Sequence, residues 1–147
     1  MLTITSPVFD QEGMIPKKYT CQGDDINPKL VIEGIPEGTK SLVLIMDDPD
    51  ASVGTWDHWV VWNIDPGISK IEEDSTPKGG IIGRNSWSRN DYGGPCPPSG
   101  THRYYFKLYA LDTQLTIEEK SDKKIVEKAM KGHVIEEAVL MGKYKKT

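Results

Sequence analysis

With 147 residues and a mass of 16.4 kDa the chain has the size of one domain built on one hydrophobic core. Fourteen glycines and ten prolines against 37% hydrophobic residues point to many turns rather than long helices. A formal charge of −4 gives no global field for polyanions, which excludes a nucleic-acid or anionic-membrane surface, so any anion site must be local.

In chain order, Leu2 to Ser6 alternates apolar and polar side chains at period two, the pattern of a half-buried strand, and Pro7 ends it. The start has neither the basic segment nor the apolar stretch of a secretion signal, and no apolar run approaches the length of a spanning helix. The expected location is therefore cytoplasmic, with no stable membrane association. Leu30 to Ile32 reads as a short strand, Ser41 to Met46 as a buried one, and Trp59 to Ile64 as a third rich in β-branched and aromatic residues. Ile81 to Trp87 is a weaker strand pattern. His102 to Leu111 alternates over ten residues, with Tyr104, Phe106, Leu108 and Ala110 on one face, as expected of a central strand.

One helix is signalled, over Asp122 to Lys131, with Ser121 placed to cap it, Gly132 to end it, and Ile125, Val126, Ala129 and Met130 as its apolar stripe. After it, a helical turn from His133 leading into a strand over Ala138 to Tyr144 is the favoured reading. Lys143 to Thr147 reads as a solvated tail. Cys21 and Cys96 are too few for a disulfide scaffold and lack the spacing of a zinc or dithiol motif. Two reduced thiols are favoured, with a single bridge as the alternative. No repeat or linker divides residues 1–147, which form one domain.

Three segments carry the candidate chemistry: Asp47-Asp48-Pro49-Asp50-Ala51, Thr55-Trp56-Asp57-His58-Trp59, and Gly93 through Tyr104 with the sequence GGPCPPSGTHRY. Asp48 lies where one predicted strand runs out, and His58 and His102 each open another, so the three ionisable groups converge at one edge of a sheet. Such a cluster suits an anion pocket. Two imidazoles and the Tyr104 hydroxyl donate, the Gly93-Gly94 backbone can approach closely, and Asp48 fixes a histidine tautomer or accepts from a protonated phosphate. Each element alone is also ordinary turn or strand-edge chemistry. Trp56, Trp59 and Trp62 read as core or rim aromatics, His133 as structural, and Arg84 and Arg103 as partners of acidic residues such as Asp48 or Asp50.

Taken together, Asp48-Pro49-Asp50-Ala51, the Trp56-x-His58 pair, and Gly94-Pro95 followed by His102-Arg103-Tyr104 resemble the two signature regions of the phosphatidylethanolamine-binding protein family, which includes the Raf kinase inhibitor protein. Tyr19-Thr20-Cys21, the loop from Gly94 to Gly100 and Tyr109-Ala110-Leu111-Asp112 look like its bacterial and archaeal branch, and the similarity runs from about residue 5 to about residue 144. Ser52 departs from the proline that many relatives carry there.

The resemblance implies a mainly β fold of packed antiparallel sheets with a few short peripheral helices. It also implies a ligand-binding pocket at Asp48, Trp56, His58, Gly94, Pro95, His102 and Tyr104, and a homodimer. The expected function is that of a small anion- or phosphate-group-binding module without cofactor or enzymatic activity, which acts as an inhibitor of a kinase or protease by recognising phosphorylated or acidic ligands. The alternative is a metal-dependent hydrolase in which Asp48, His58 and His102 hold the ion.

Overall fold

A computed structural model describes residues 1–147. Eight strands and one α-helix follow one another: β1 (Thr3–Thr5), β2 (Leu30–Glu33), β3 (Ser41–Ala51), β4 (Gly54–Ile64), β5 (Lys70–Ile71), β6 (Ile81–Ile82), β7 (His102–Leu111), α1 (Lys123–Met130) and β8 (Val134–Tyr144). A single 3-10 turn lies at Lys17–Tyr19. The strands form two antiparallel sheets, a small one in the order β1-β2-β5 and a large one in the order β6-β4-β3-β7-β8.

The small sheet covers one face of the large one. Leu2, Ile4, Leu30, Ile32 and Ile71 pack there with Leu42, Leu44, Met46, Trp59, Val61, Tyr104, Phe106 and Leu108 in the principal core. On the opposite face Val126 and Met130 of α1 close a second cluster with Val43, Ile45, Val60, Trp62 and Leu111. This explains why Ser41–Met46 reads as an unbroken apolar run: β3 is central and buried on both sides, as are the middle strands of a covered sheet. The period-two pattern of β7 holds as predicted, since Tyr104, Phe106, Leu108 and Ala110 face the principal core and Arg103 faces solvent.

Four readings are corrected. The strand expected to run out at Met46 does not end before Asp48: β3 runs on to Ala51, and β4 starts at Gly54, so Asp48 and Trp56 are register partners in one long hairpin. The helix is capped by Asp122, whose side chain accepts from the Ile125 amide, rather than by Ser121. Ile125 itself stands exposed. No helical turn follows, because Val134–Tyr144 is one strand pairing with β7 along its length, and its neighbour supplies partners that local propensity does not foresee. The weak strand over Ile81 to Trp87 shrinks to Ile81–Ile82.

Cys21 and Cys96 are joined in a disulfide, with Cα atoms 5.5 Å apart, against the favoured reading of two free thiols. Chain folding brings together residues 75 apart in sequence, which spacing alone does not disclose. No helix is long and apolar enough to cross a membrane.

Candidate functional site

The β3–β4 hairpin and the start of β7 place their polar side chains at one end of the large sheet, on the face of the principal core. There a cavity of about 450 Å³ is lined by Asp48, Trp56, His58, Gly94, His102 and Tyr104, six of the seven residues expected from sequence. Pro95 is the exception. It is buried behind the wall, where its carbonyl accepts from the Cys21 amide at 3.1 Å.

Within the cavity the buried Asp48 carboxylate is fully engaged on the protein side. Its Oδ2 lies 2.7 Å from His102 Nδ1, and its Oδ1 accepts from the Asp50 amide at 2.7 Å. With Nδ1–H donated to Asp48, the other ring nitrogen of His102 has no protein partner. His58 repeats the arrangement with a neutral acceptor, its Nδ1–H donating to the Gly93 carbonyl at 2.7 Å. Burial holds the His58 pKa below the ordinary imidazole value, with the Gly93 carbonyl and the Asp48 charge opposing the shift, so the ring is neutral at pH 7.

Tyr104 is fully buried, and its hydroxyl has no hydrogen-bond partner. Desolvation first, and the nearby Asp48 charge second, push its ionisation well above the usual phenol range, so it remains a donor throughout the accessible pH range. Asp48 acts on it through its charge without reaching hydrogen-bond geometry. A buried hydroxyl without a partner carries a desolvation cost on the order of 1–3 kcal/mol, which a bound acceptor would relieve.

An unbroken series of rings supports these groups. Trp56 meets Trp87 edge-on at 5.6 Å, Trp87 meets His58 at 4.9 Å, His58 meets Tyr104 at 5.2 Å, and Tyr104 stacks beside His102 at 6.5 Å. Trp59 and Trp62, by contrast, are core residues, on opposite faces of the sheet.

The glycine loop plays a different part from the one expected. The Gly93 amide donates to the His58 carbonyl at 3.0 Å and the Gly94 amide to the Asp25 carboxylate at 2.8 Å, so neither is free to cradle an anion. Glycine is required there by close approach. A Cβ on Gly93 would enter the Trp87 ring, and one on Gly94 would meet the Tyr19 carbonyl and the Asp25 side chain.

Sequence reasoning missed Asp25, Trp87 and Arg89, which also line the cavity. Arg89 is held by Asp91 at 3.1 Å and lies 5.2 Å from the centre of the Trp87 ring. No motif surrounds these residues, and only the fold brings them in. Arg103 pairs with Asp50 as anticipated, through Nη2–Oδ1 at 2.7 Å and Nε–Oδ2 at 2.9 Å, and this holds the Asp50 carboxyl down to about 2. Arg84 forms no such pair, and His133 binds Asp112 at the surface, at 2.8 Å. No group of three or more His, Cys, Asp or Glu side chains has the geometry to hold a metal ion.

A two-sheet β domain with a buried Asp-His pair, a second imidazole and a tyrosine around one cavity has the fold and the residue arrangement that the signature segments suggest. The sequence profile of the phosphatidylethanolamine-binding protein family matches residues 5–145, and the chain belongs to that family. It is 50% identical to a UPF0098 protein of Pyrococcus horikoshii over 96% of this chain and 75% of the relative, and 45% identical to one of Methanothermobacter thermautotrophicus over 99% of both. A crystal structure of a phosphatidylethanolamine-binding protein homologue from Chlamydia trachomatis superposes with a TM-score of 0.95 at 44% identity, covering 99% of this chain and 98% of that one. The structure of Escherichia coli YbcL, described as a member of the mammalian family, gives 0.92 at 29% identity over 99% of each chain.

Proposed function

We propose that the protein is a non-enzymatic binding and regulatory module whose cavity takes a phosphate-like anion, free or as the monoester group of a larger ligand. The observation that carries this reading is the unpartnered, buried Tyr104 hydroxyl, set beside two imidazoles whose Nδ1 atoms are committed to the protein and whose second nitrogens are not. Tyr104 donates. At neutral pH the uncharged His58 accepts, which matches a singly protonated phosphate better than a full dianion.

The charges lining the cavity are already paired within the protein, Asp48 with His102, Asp25 with the Gly94 amide and Arg89 with Asp91. Recognition therefore rests on directed hydrogen bonds rather than on a strong field. The natural target in this reading is a phosphorylated or acidic ligand of a cytoplasmic kinase or protease, engaged by a homodimer. A metal-dependent hydrolase is the less favoured reading, because both Asp48 oxygens are occupied by protein hydrogen bonds and no third ligand joins the two histidines in a geometry that could hold an ion.

The test is a titration of phenyl phosphate and of inorganic phosphate into wild type, His58→Ala and His102→Ala, followed by amide chemical shifts. The expected outcome is saturable shifts at the cavity residues that both substitutions weaken. Shifts unchanged by either substitution would refute the reading. Capture from native extract on immobilised wild type and His102→Ala would then identify the target.

A further inference from the structure

The Cys21–Cys96 disulfide is part of the cavity itself, since both residues line it. The bond ties the segment after the Lys17–Tyr19 turn to the loop that runs from Gly93 into β7. That loop has two halves held in different ways. Its first half is fixed by hydrogen bonds: Gly93 N to the His58 carbonyl, Gly94 N to Asp25 at 2.8 Å, and the Pro95 carbonyl from Cys21 N at 3.1 Å. Tyr92 adds a bond from its hydroxyl to the Tyr19 carbonyl at 2.8 Å.

From Cys96 to Thr101 no backbone or side-chain group reaches hydrogen-bond geometry with the rest of the chain, the Cys96 amide only approaching the Tyr104 hydroxyl, and Pro98, Ser99 and Gly100 are exposed. Pro97 and Pro98 nevertheless form cavity wall. The disulfide is therefore the one cross-link at the head of this outer wall. It is also reachable, with Cys21 exposed and Cys96 half-buried.

We infer that Cys21–Cys96 is a redox latch on the cavity: oxidised, it holds the Cys96–Thr101 wall against the anion site, and reduced, it releases that wall and weakens binding. The reductant is a dithiol donor. Its thiolate attacks the Cys21 sulfur, the S–S electron pair leaves on Cys96, which takes a proton, and the donor's second thiol resolves the mixed disulfide to leave Cys21 as a thiol. Two electrons and two protons pass to the protein, and the donor closes its own disulfide. The first half of the loop keeps its hydrogen bonds, so the change is confined to the wall.

The effect on affinity rests on the anion-binding reading above, while wall release does not, and two measurements separate them. Inorganic phosphate is titrated calorimetrically at pH 7 into oxidised protein, into protein reduced with uncharged dithiothreitol and checked by thiol count, and into Cys21→Ser/Cys96→Ser. Reduction is expected to weaken phosphate by about fivefold or more, as for other linked equilibria, with recovery on reoxidation and a double variant indifferent to reductant. Backbone 15N relaxation over residues 93–101 is followed in the same samples, with a lower heteronuclear NOE at Cys96, Ser99, Gly100 and Thr101 expected on reduction. Complete reduction with unchanged phosphate affinity overturns the latch. Phosphate binding in neither state sinks the anion reading alone, and the latch is then overturned if relaxation at those four amides stays the same.

Discussion

The Asp48 carboxylate and the His102 imidazole form a buried pair at 2.7 Å across the join of β3 and β7, and their segments lie 54 residues apart in sequence. Each orients the other: without Asp48 the His102 ring loses its fixed tautomer, and without His102 a carboxylate is left facing the anion. Asp48→Ala and His102→Ala are each expected to weaken phosphate by about tenfold, equivalent to about 1.4 kcal/mol. The double variant should lose much less than the sum, because the two act as one unit. Strict additivity in a calorimetric double-mutant cycle would show them to be independent.

The lowered pKa of His58 gives a second expectation. At pH 7 phosphate, which carries a protonated fraction, should bind better than sulfate, which has no proton to offer the His58 lone pair. Sulfate affinity should rise only as pH falls below about 6.5 toward the depressed folded value, with proton uptake on binding, since the anion favours the imidazolium. His58→Ala should abolish that rise.

Linkage extends this to stability. The unfolded chain takes a proton on His58 near its ordinary value and the folded chain only at lower pH, so acidification through that window favours unfolding. Denaturant melts at pH 7 and pH 5 should show a smaller loss in His58→Phe than in wild type.

Much of this site was legible in the sequence because its residues sit on regular elements. Asp48, Trp56, His58, His102 and Tyr104 lie on three adjacent strands, and alternation at period two assigns Tyr104 and His102 to one face. What escaped was set by distant partners. The Gly93 and Gly94 amides looked available for a ligand, and only the fold shows them bonded to His58 and Asp25. In β8, Val134–Tyr144, two glutamates and an alanine suit a helix as well as a strand, and the neighbouring β7 decides between them. Trp87 reaches the cavity through an irregular segment whose path no local pattern encodes.

The disulfide closes a span of 75 residues, which on a chain-entropy argument contributes about 4 kcal/mol. Cys21→Ser/Cys96→Ser should lower the unfolding free energy in urea by about that amount, or by less where the unfolded chain keeps structure. A double variant as stable as the oxidised protein would contradict the argument.

Behind the cavity, on the face covered by α1, Asp47 is 1% exposed and accepts from Lys107 at 3.0 Å and Lys123 at 3.2 Å; Lys123 also lies 3.2 Å from Asp57. Desolvation raises the Asp57 pKa against the pull of Lys123, whose own pKa rises because the two carboxylates outweigh its burial. Lys123→Met removes the shared cation and should cost about 3 kcal/mol, as expected for breaking a buried pair. Adding Asp57→Asn should restore part of it. A Lys123→Met protein with an unchanged urea midpoint would show that the pair is idle.

Asp47 and Asp48 are neighbours in β3 that point to opposite faces of the sheet, one fastening the helix and the other forming the floor of the cavity. A one-residue insertion or deletion ahead of them would turn each toward the other's surroundings, sending the cavity's carboxylate under the helix and the helix anchor into the cavity. Scaffold and site thus share one register, so length changes in this strand are forbidden on two counts at once. Variation in chain length at the exposed Ser52–Val53 turn leaves that register intact and alters only the rim of the cavity, which both residues line.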